Sequence, residues 1–209
     1  MMKHFDKASL LEAESSFRRD LVNSLSGYKS LNLIGTKNNK GLTNLSPFSQ
    51  VFHIGASPPL VGILFRPHTV ERHTLENILE TGFFTLNHIT EDFYKAAHQT
   101  AARYAGSEFE AVSLEEEYLE DFHAPFVKLS PVKLACSFVE KNTLQVNGTE
   151  MVIGSIEHIW VAEKGLLPDG SLDLQALGTL TCSGLDTYYT GKKLSRLSYP
   201  KPGQILKEI

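Results

Sequence analysis

The chain has 209 residues, of which 42% are hydrophobic, 21% charged and 10% aromatic, an ordinary globular composition that is too apolar for a disordered protein. Twenty basic residues against twenty-four acidic ones leave a net charge of −4, the wrong sign for a protein that grips nucleic acid by neutralising phosphates. At about 150 residues per domain the length fits one elaborated domain spanning 1–209. Cys136 and Cys182 form no CxxC, and the scattered histidines form no HExxH or HxH, so neither a disulfide framework nor a metal site is expected. The first residues carry no apolar signal stretch, and the longest apolar run, Leu60 to Phe65, is interrupted by Gly62. These features lead to the expectation of a cytoplasmic protein with no membrane span.

Leu10, Leu11, Phe17, Leu21, Val22 and Leu25 recur at helical steps, predicting an amphipathic opening helix over 8–25 that stops at Gly27. Leu31 and Leu33 then alternate with polar neighbours up to Lys37-Asn38-Asn39-Lys40-Gly41, a tight-turn sequence that predicts a hairpin. Two strands, 42–52 and 60–65, are expected on either side of the rigid Ser57-Pro58-Pro59 corner. A helix over 69–81 follows, with Thr69 or Thr74 as N-cap and Gly82 as its stop, and leads into a strand at 83–89.

Residues 91–105 read as helix, and 107–124 are acidic, with Glu115, Glu116 and Glu117 in a run that reads as a solvated face or loop. Val132, Leu134, Cys136 and Phe138 alternate as a strand, and Asn147-Gly148 is a strong hairpin turn before the strand that carries Met151, Ile153, Ile159 and Val161. The tail beyond Gly191 is basic. Six or seven strands with inserted helices, and no βαβα rhythm, predict a mainly β, α+β architecture: an antiparallel barrel decorated by helices.

Two segments could carry chemistry. Gly41 to Ser49 packs Thr43, Asn44, Ser46 and Ser49 around Pro47 in an edge strand, which suits reading the polar rim of a flat heterocycle; a polar bulge is the alternative. Arg66, His68, Thr69, Arg72, His73 and Thr74 surround a helix start, where cations, a hydroxyl and free amides suit a phosphate; a solvated helix start is the alternative.

The order of Asn44-Leu45-Ser46-Pro47-Phe48-Ser49, Ser57-Pro58-Pro59-Leu60-Val61, Arg72-His73-Thr74-Leu75-Glu76-Asn77-Ile78 and Glu80-Thr81-Gly82-Phe83-Phe84-Thr85-Leu86-Asn87 resembles the flavin reductase-like family of FMN-binding split barrels. The resemblance implies a Greek-key antiparallel split barrel with a helical extension, 1–27, and a basic arm, 186–209. It further implies a homodimer with FMN near the subunit interface. By position, Asn44, Leu45, Ser46 and Ser49 would contact the isoalloxazine or ribityl chain, largely through backbone groups, and Arg66, Arg72, His73 and Thr74 would hold the phosphate.

One departure stands out. Where family members that oxidise a nicotinamide carry a histidine in a glycine-rich strand, Asn147 to Ile156 keeps the glycine and strand pattern without the histidine. The expected function is an FMN-dependent oxidoreductase, with NADH or NADPH as candidate donor and a monooxygenase as candidate partner. Two alternatives remain open: an electron-transferring or non-catalytic FMN protein, and a dimeric module that binds no flavin. No side chain is assigned a catalytic role; His53 and the tail segment Asp186 to Thr190 are read as structural.

Overall fold

A computed structural model describes all 209 residues. Two short helices, α1 (Lys7–Glu12) and α2 (Ser15–Ser24), precede strands β1 (Lys29–Ser30), β2 (Asn32–Lys37), β3 (Thr43–Phe48), β4 (Val51–Ala56) and β5 (Pro59–Phe65). Helix α3 (His73–Thr81) leads into β6 (Phe83–His88), followed by α4 (Tyr94–Gln99), α5 (Glu108–Ala111), β7 (Glu116–Glu117) and β8 (Phe126–Val127). The long strands β9 (Val132–Leu144) and β10 (Thr149–Val161), helix α6 (Leu174–Leu177), and strands β11 (Leu180–Ser183) and β12 (Thr187–Thr190) complete the chain. No helix is long and apolar enough to cross a membrane.

Seven strands form one antiparallel sheet in the order β3-β2-β6-β9-β10-β5-β4. Strands β3 and β4 follow one another in the chain yet lie at opposite ends of this order. Only Ser49 and Gln50 separate Phe48 from Val51, and three peptide steps reach at most about 11 Å. The sheet must therefore curl until its two edges meet at that end, which makes it a split barrel.

The sheet is buried on both faces. Leu33 and Ile34 are neighbours that point to opposite faces, and neither is exposed at all. Ile34 belongs to a cluster inside the barrel with Ile63, Phe65, Leu75, Ile78, Phe84 and Leu86. Leu33 belongs to a second cluster with Leu45, Ile89, Phe93, Phe109 and Leu180, roofed by the helices after β6. Two glycines allow this double packing: a Cβ on Gly35 would lie 2.3 Å from the Pro125 carbonyl oxygen, and one on Gly154 would lie 2.4 Å from the Phe84 ring.

Several expectations need correction in detail. The opening helix is broken in two because the Glu14 carboxylate accepts the Ser16 and Phe17 amides and starts a second helix. The strand expected over 42–52 splits into β3 and β4, and the Gln50 carbonyl accepts the Leu64 amide at the break. Helix α3 starts at His73, with Arg72 rather than Thr69 or Thr74 at the N-cap, and Glu76 reaches back to accept the Arg72 amide at 2.9 Å. The acidic stretch after Gly106 is packed ahead of its glutamate run: Ser107, Glu108, Phe109 and Leu114 are buried, whereas Glu115 is exposed and Glu116 and Glu117 are half-buried. Within the arm, β12 joins β11 and β1 in a three-stranded sheet, and Arg196 pairs with Asp169.

Candidate functional site

The polar strand β3 sits on the outside edge of the large sheet, and its pairing with β2 sets which groups it offers. Asn44 faces Thr36, Leu45 faces Gly35 and Ser46 faces Ile34. In an antiparallel pair successive residues turn their N–H and C=O groups alternately toward and away from the partner. The Leu45 amide points outward and donates to the Glu108 carboxylate at 3.1 Å. Asn44 and Ser46 accordingly turn their amides to β2, and what they offer a ligand is their side chains. Leu45 is fully buried and, with its amide taken, presents only its carbonyl.

The side chain of Asn44 donates to the Thr74 hydroxyl at 2.9 Å, and both residues are buried. This bond joins the two segments singled out in the sequence, the polar strand and the basic helix start. A second tie lies one turn along α3, where the Asn77 amide donates to the Thr36 hydroxyl at 3.0 Å. Ser46, Pro47, Phe48 and Ser49 are half-buried, and the Phe48 ring meets Phe65 edge-on at 4.9 Å.

The basic residues divide into two groups. Arg66 is exposed and takes part in none of the chain's ion pairs. Arg72 donates through Nε to the Pro67 carbonyl at 3.0 Å, which leaves the outer nitrogens of its guanidinium open. The histidines instead face carboxylates: His68 Nε2 lies 2.8 Å from Glu76, and His73 Nε2 lies 3.4 Å from Glu71. Burial works to raise the Glu76 carboxyl, but the Arg72 amide and the His68 ring outweigh it and hold the group below the usual carboxylate range.

His73 and Asn44 line a cleft of about 300 Å³ together with Asn77, Glu80, Tyr104 and Glu108. Glu71, His73 and Glu76 place their ligand atoms within 4.8 Å of one another, and two of the three are exposed. The structure thus brings Asn44 and Thr74 together and leaves Arg66 and Arg72 with free donors. It sets His73 among carboxylates.

Sequence reasoning missed the residues that hold the outer edge of β3. Ser107 Oγ and Thr43 Oγ1 are 2.7 Å apart, and Thr43 Oγ1 also donates to Glu116 at 2.6 Å. Burial pushes the Glu108 carboxyl up, against the opposing pull of the Leu45 amide. The apolar spacing of Phe109, Val112 and Leu114 among the acids was the signal available for a packed segment.

Residues 29–173 match the flavin reductase like domain family. A crystal structure from Shewanella frigidimarina NCIMB 400, of a split barrel domain protein assigned as a flavin reductase, is similar at a TM-score of 0.92 and 51% identity, covering 95% of this chain and 100% of that one. Nitrilotriacetate monooxygenase component B from Bacillus cereus has the same fold at a TM-score of 0.80 and 20% identity, covering 94% of this chain and 100% of that one. An uncharacterized protein of Halalkalibacterium halodurans is 29% identical over 154 residues, 69% of this chain and 72% of its own.

Proposed function

The chain belongs to the flavin reductase-like family, and from that premise we propose that it is an FMN-binding oxidoreductase acting as a homodimer. The observation that carries the reading is the bond from Asn44 to Thr74, because it unites the polar strand and the basic helix start into one binding surface. The residues present fit the cofactor. Arg66 and Arg72 offer unpaired guanidinium donors suited to a phosphate dianion, while the Asn44, Ser46 and Ser49 side chains and the Leu45 carbonyl offer matched groups to a ring rim or ribityl chain.

When bound, FMN supplies the hydride or electron transfer itself. The chain's residues have the tasks of binding, orienting and excluding water. The bond from Asn44 to Thr74 holds strand and helix at fixed spacing and uses one donor of the Asn44 amide, which keeps its oxygen for a ligand. Arg72, braced by the Pro67 carbonyl and by Glu76 on its own amide, presents its remaining donors in a limited set of directions. His73, beside Glu71 and in a cleft with Glu76, Glu80 and Glu108, is the weakest of the phosphate candidates, since those carboxylates oppose an anion.

The homodimer reading is supported by the uncovered edge strand β4, which exposes Phe52 and Ile54. The single-domain reading, with the 1–27 extension and the 186–209 arm as appendages, is part of the same proposal. So is a cytoplasmic setting, in keeping with two free buried thiols. A monooxygenase partner is suggested by the fold shared with a monooxygenase component B.

A second reading, a flavoprotein fed by a donor other than NADH or NADPH, is favoured by the missing histidine. The corresponding stretch runs from the β9–β10 turn into the first part of β10, and there Glu150 is engaged internally by Thr143 at 2.6 Å and Lys141 at 3.1 Å. Absorbance between 300 and 550 nm before and after adding FMN and desalting tests the cofactor. NADH and then NADPH under anaerobic conditions test the donor: bleaching supports the reductase, and a persistent band supports the second reading. The R72A/T74A double variant should lose FMN on desalting, and wild-type retention would reject the phosphate assignment.

A further inference from the structure

Strand β3 has β2 on one side and no strand on the other. An open edge of this kind leaves outward N–H and C=O groups without ladder partners, and a strand held from one side only is free to fray. Here the outer edge is occupied by side chains from one short segment, 107–116. Glu108 Oε2 takes the Leu45 amide at 3.1 Å, Ser107 Oγ lies 2.7 Å from Thr43 Oγ1, and Glu116 Oε1 accepts from the same hydroxyl at 2.6 Å.

Glu108 is 6% exposed and Phe109 1% exposed. A carboxylate is costly to bury without compensation. It is accommodated here because it meets a backbone amide that would otherwise be an unpaired donor, so each group satisfies the other. Phe109, anchored in the outer cluster with Leu45 and Leu33, fixes the height of the segment above the sheet.

We propose that Glu108 is a positioning residue for the flavin-facing strand, its carboxylate standing in for the missing neighbour strand at Leu45 so that Asn44 and Ser46 are presented in one register. The inference rests on the flavin-binding reading above. The bond falls on Leu45, and Asn44 and Ser46 are its two chain neighbours. Loss of the bond frees the outer edge at the centre of the binding motif and loosens the side chains on both sides of it.

The test compares wild type with E108A and E108Q in amide hydrogen exchange over residues 43–48, FMN titration by fluorescence quenching, and visible circular dichroism at saturating FMN. Expected for E108A are an exchange rate at Leu45 raised at least tenfold, FMN affinity lowered at least fivefold, and an altered dichroic band of the bound flavin. E108Q keeps an oxygen acceptor and should restore all three to within about threefold of wild type. Gly154→Ala, which strains the inner core elsewhere, should leave the saturated dichroic band unchanged.

An unchanged Leu45 exchange rate in E108A overturns the proposal, and so does faster exchange with unaltered affinity and spectrum. Should E108A fail to fold, E108D serves in its place, because its shorter side chain falls short of the amide and is expected to show the same losses; wild-type behaviour from it rejects the role. If wild type binds no FMN, the flavin reading falls by itself, and the exchange arm still decides whether Glu108 holds the strand.

Discussion

Acidification should work against the fold through His88, an imidazole that the folded chain keeps neutral. His88 ends β6, its Nδ1 lies 3.1 Å from the Thr179 hydroxyl, and its carbonyl accepts from Ser130 at 2.8 Å. Burial pushes the ring from its ordinary 6.5 down to about 4. Above pH 6.5 the ring is neutral both folded and unfolded, and full stability is present. As the pH falls the unfolded chain takes up the proton first, so stability is lost progressively until about pH 4. At about 1.4 kcal/mol per pH unit that window is worth about 3 kcal/mol at most. Urea unfolding of wild type and H88N at pH 7.5, 6 and 4.5 measures it, since Asn keeps a partner for Thr179 and does not titrate. The stability lost by wild type on going from pH 7.5 to 4.5 should exceed that lost by H88N by about 2–3 kcal/mol. Parallel losses in the two proteins would show that the ring is protonated at no cost and refute the reasoning.

Two further perturbations address the packing on the two faces of the sheet. Gly154→Ala should cost about 1–3 kcal/mol, because the added methyl meets the Phe84 ring, itself fully buried, at 2.4 Å; a thermal melt within a degree of wild type would contradict this. Asn87→Leu should cost about 2–4 kcal/mol in urea unfolding. The native side chain donates to the Leu33 carbonyl and the Thr85 hydroxyl and accepts the Val127 amide at 2.9 Å; leucine strands the Val127 amide and removes a donor from the other two, of which the Thr85 hydroxyl keeps its bond to the Pro125 carbonyl. A neutral result would mean that water reaches these groups.

What was readable in the sequence is what local chemistry decides. The turn at Asn38 to Gly41, the stop at Gly82 and the turn at Gly148 each needed a positive backbone angle, and Gly41, Gly82 and Gly148 adopt φ of 84°, 81° and 72°. The β2–β3 and β9–β10 pairings follow from those turns. Less was visible where local signals give way to tertiary contacts. The break between α1 and α2 depends on Glu14 acting as an N-cap, a role that glutamate seldom plays. Helix 91–105 shortens to α4, Tyr94–Gln99, flanked by the buried Phe93 and Thr100.

At the candidate site, the polar strand and the basic helix start could be named from residue types, but the bond between Asn44 and Thr74 could not. Which way the Leu45 amide points depends on the pairing register with β2, and residue types alone do not state it. The burial of Glu108, ahead of the acidic run, was hidden for a related reason: acids are usually solvated, and only an open sheet edge made burial of Glu108 favourable.

The short link through Ser49 and Gln50 also acts as a gauge. Because it ties the end of β3 to the start of β4, the mouth of the split at that end can open no wider than about 11 Å, however the rest of the barrel breathes. The covalent path of the chain thus tethers the two sheet edges at one end: Phe48 and Val51 must move together, while this link places no such limit on the far ends of β3 and β4.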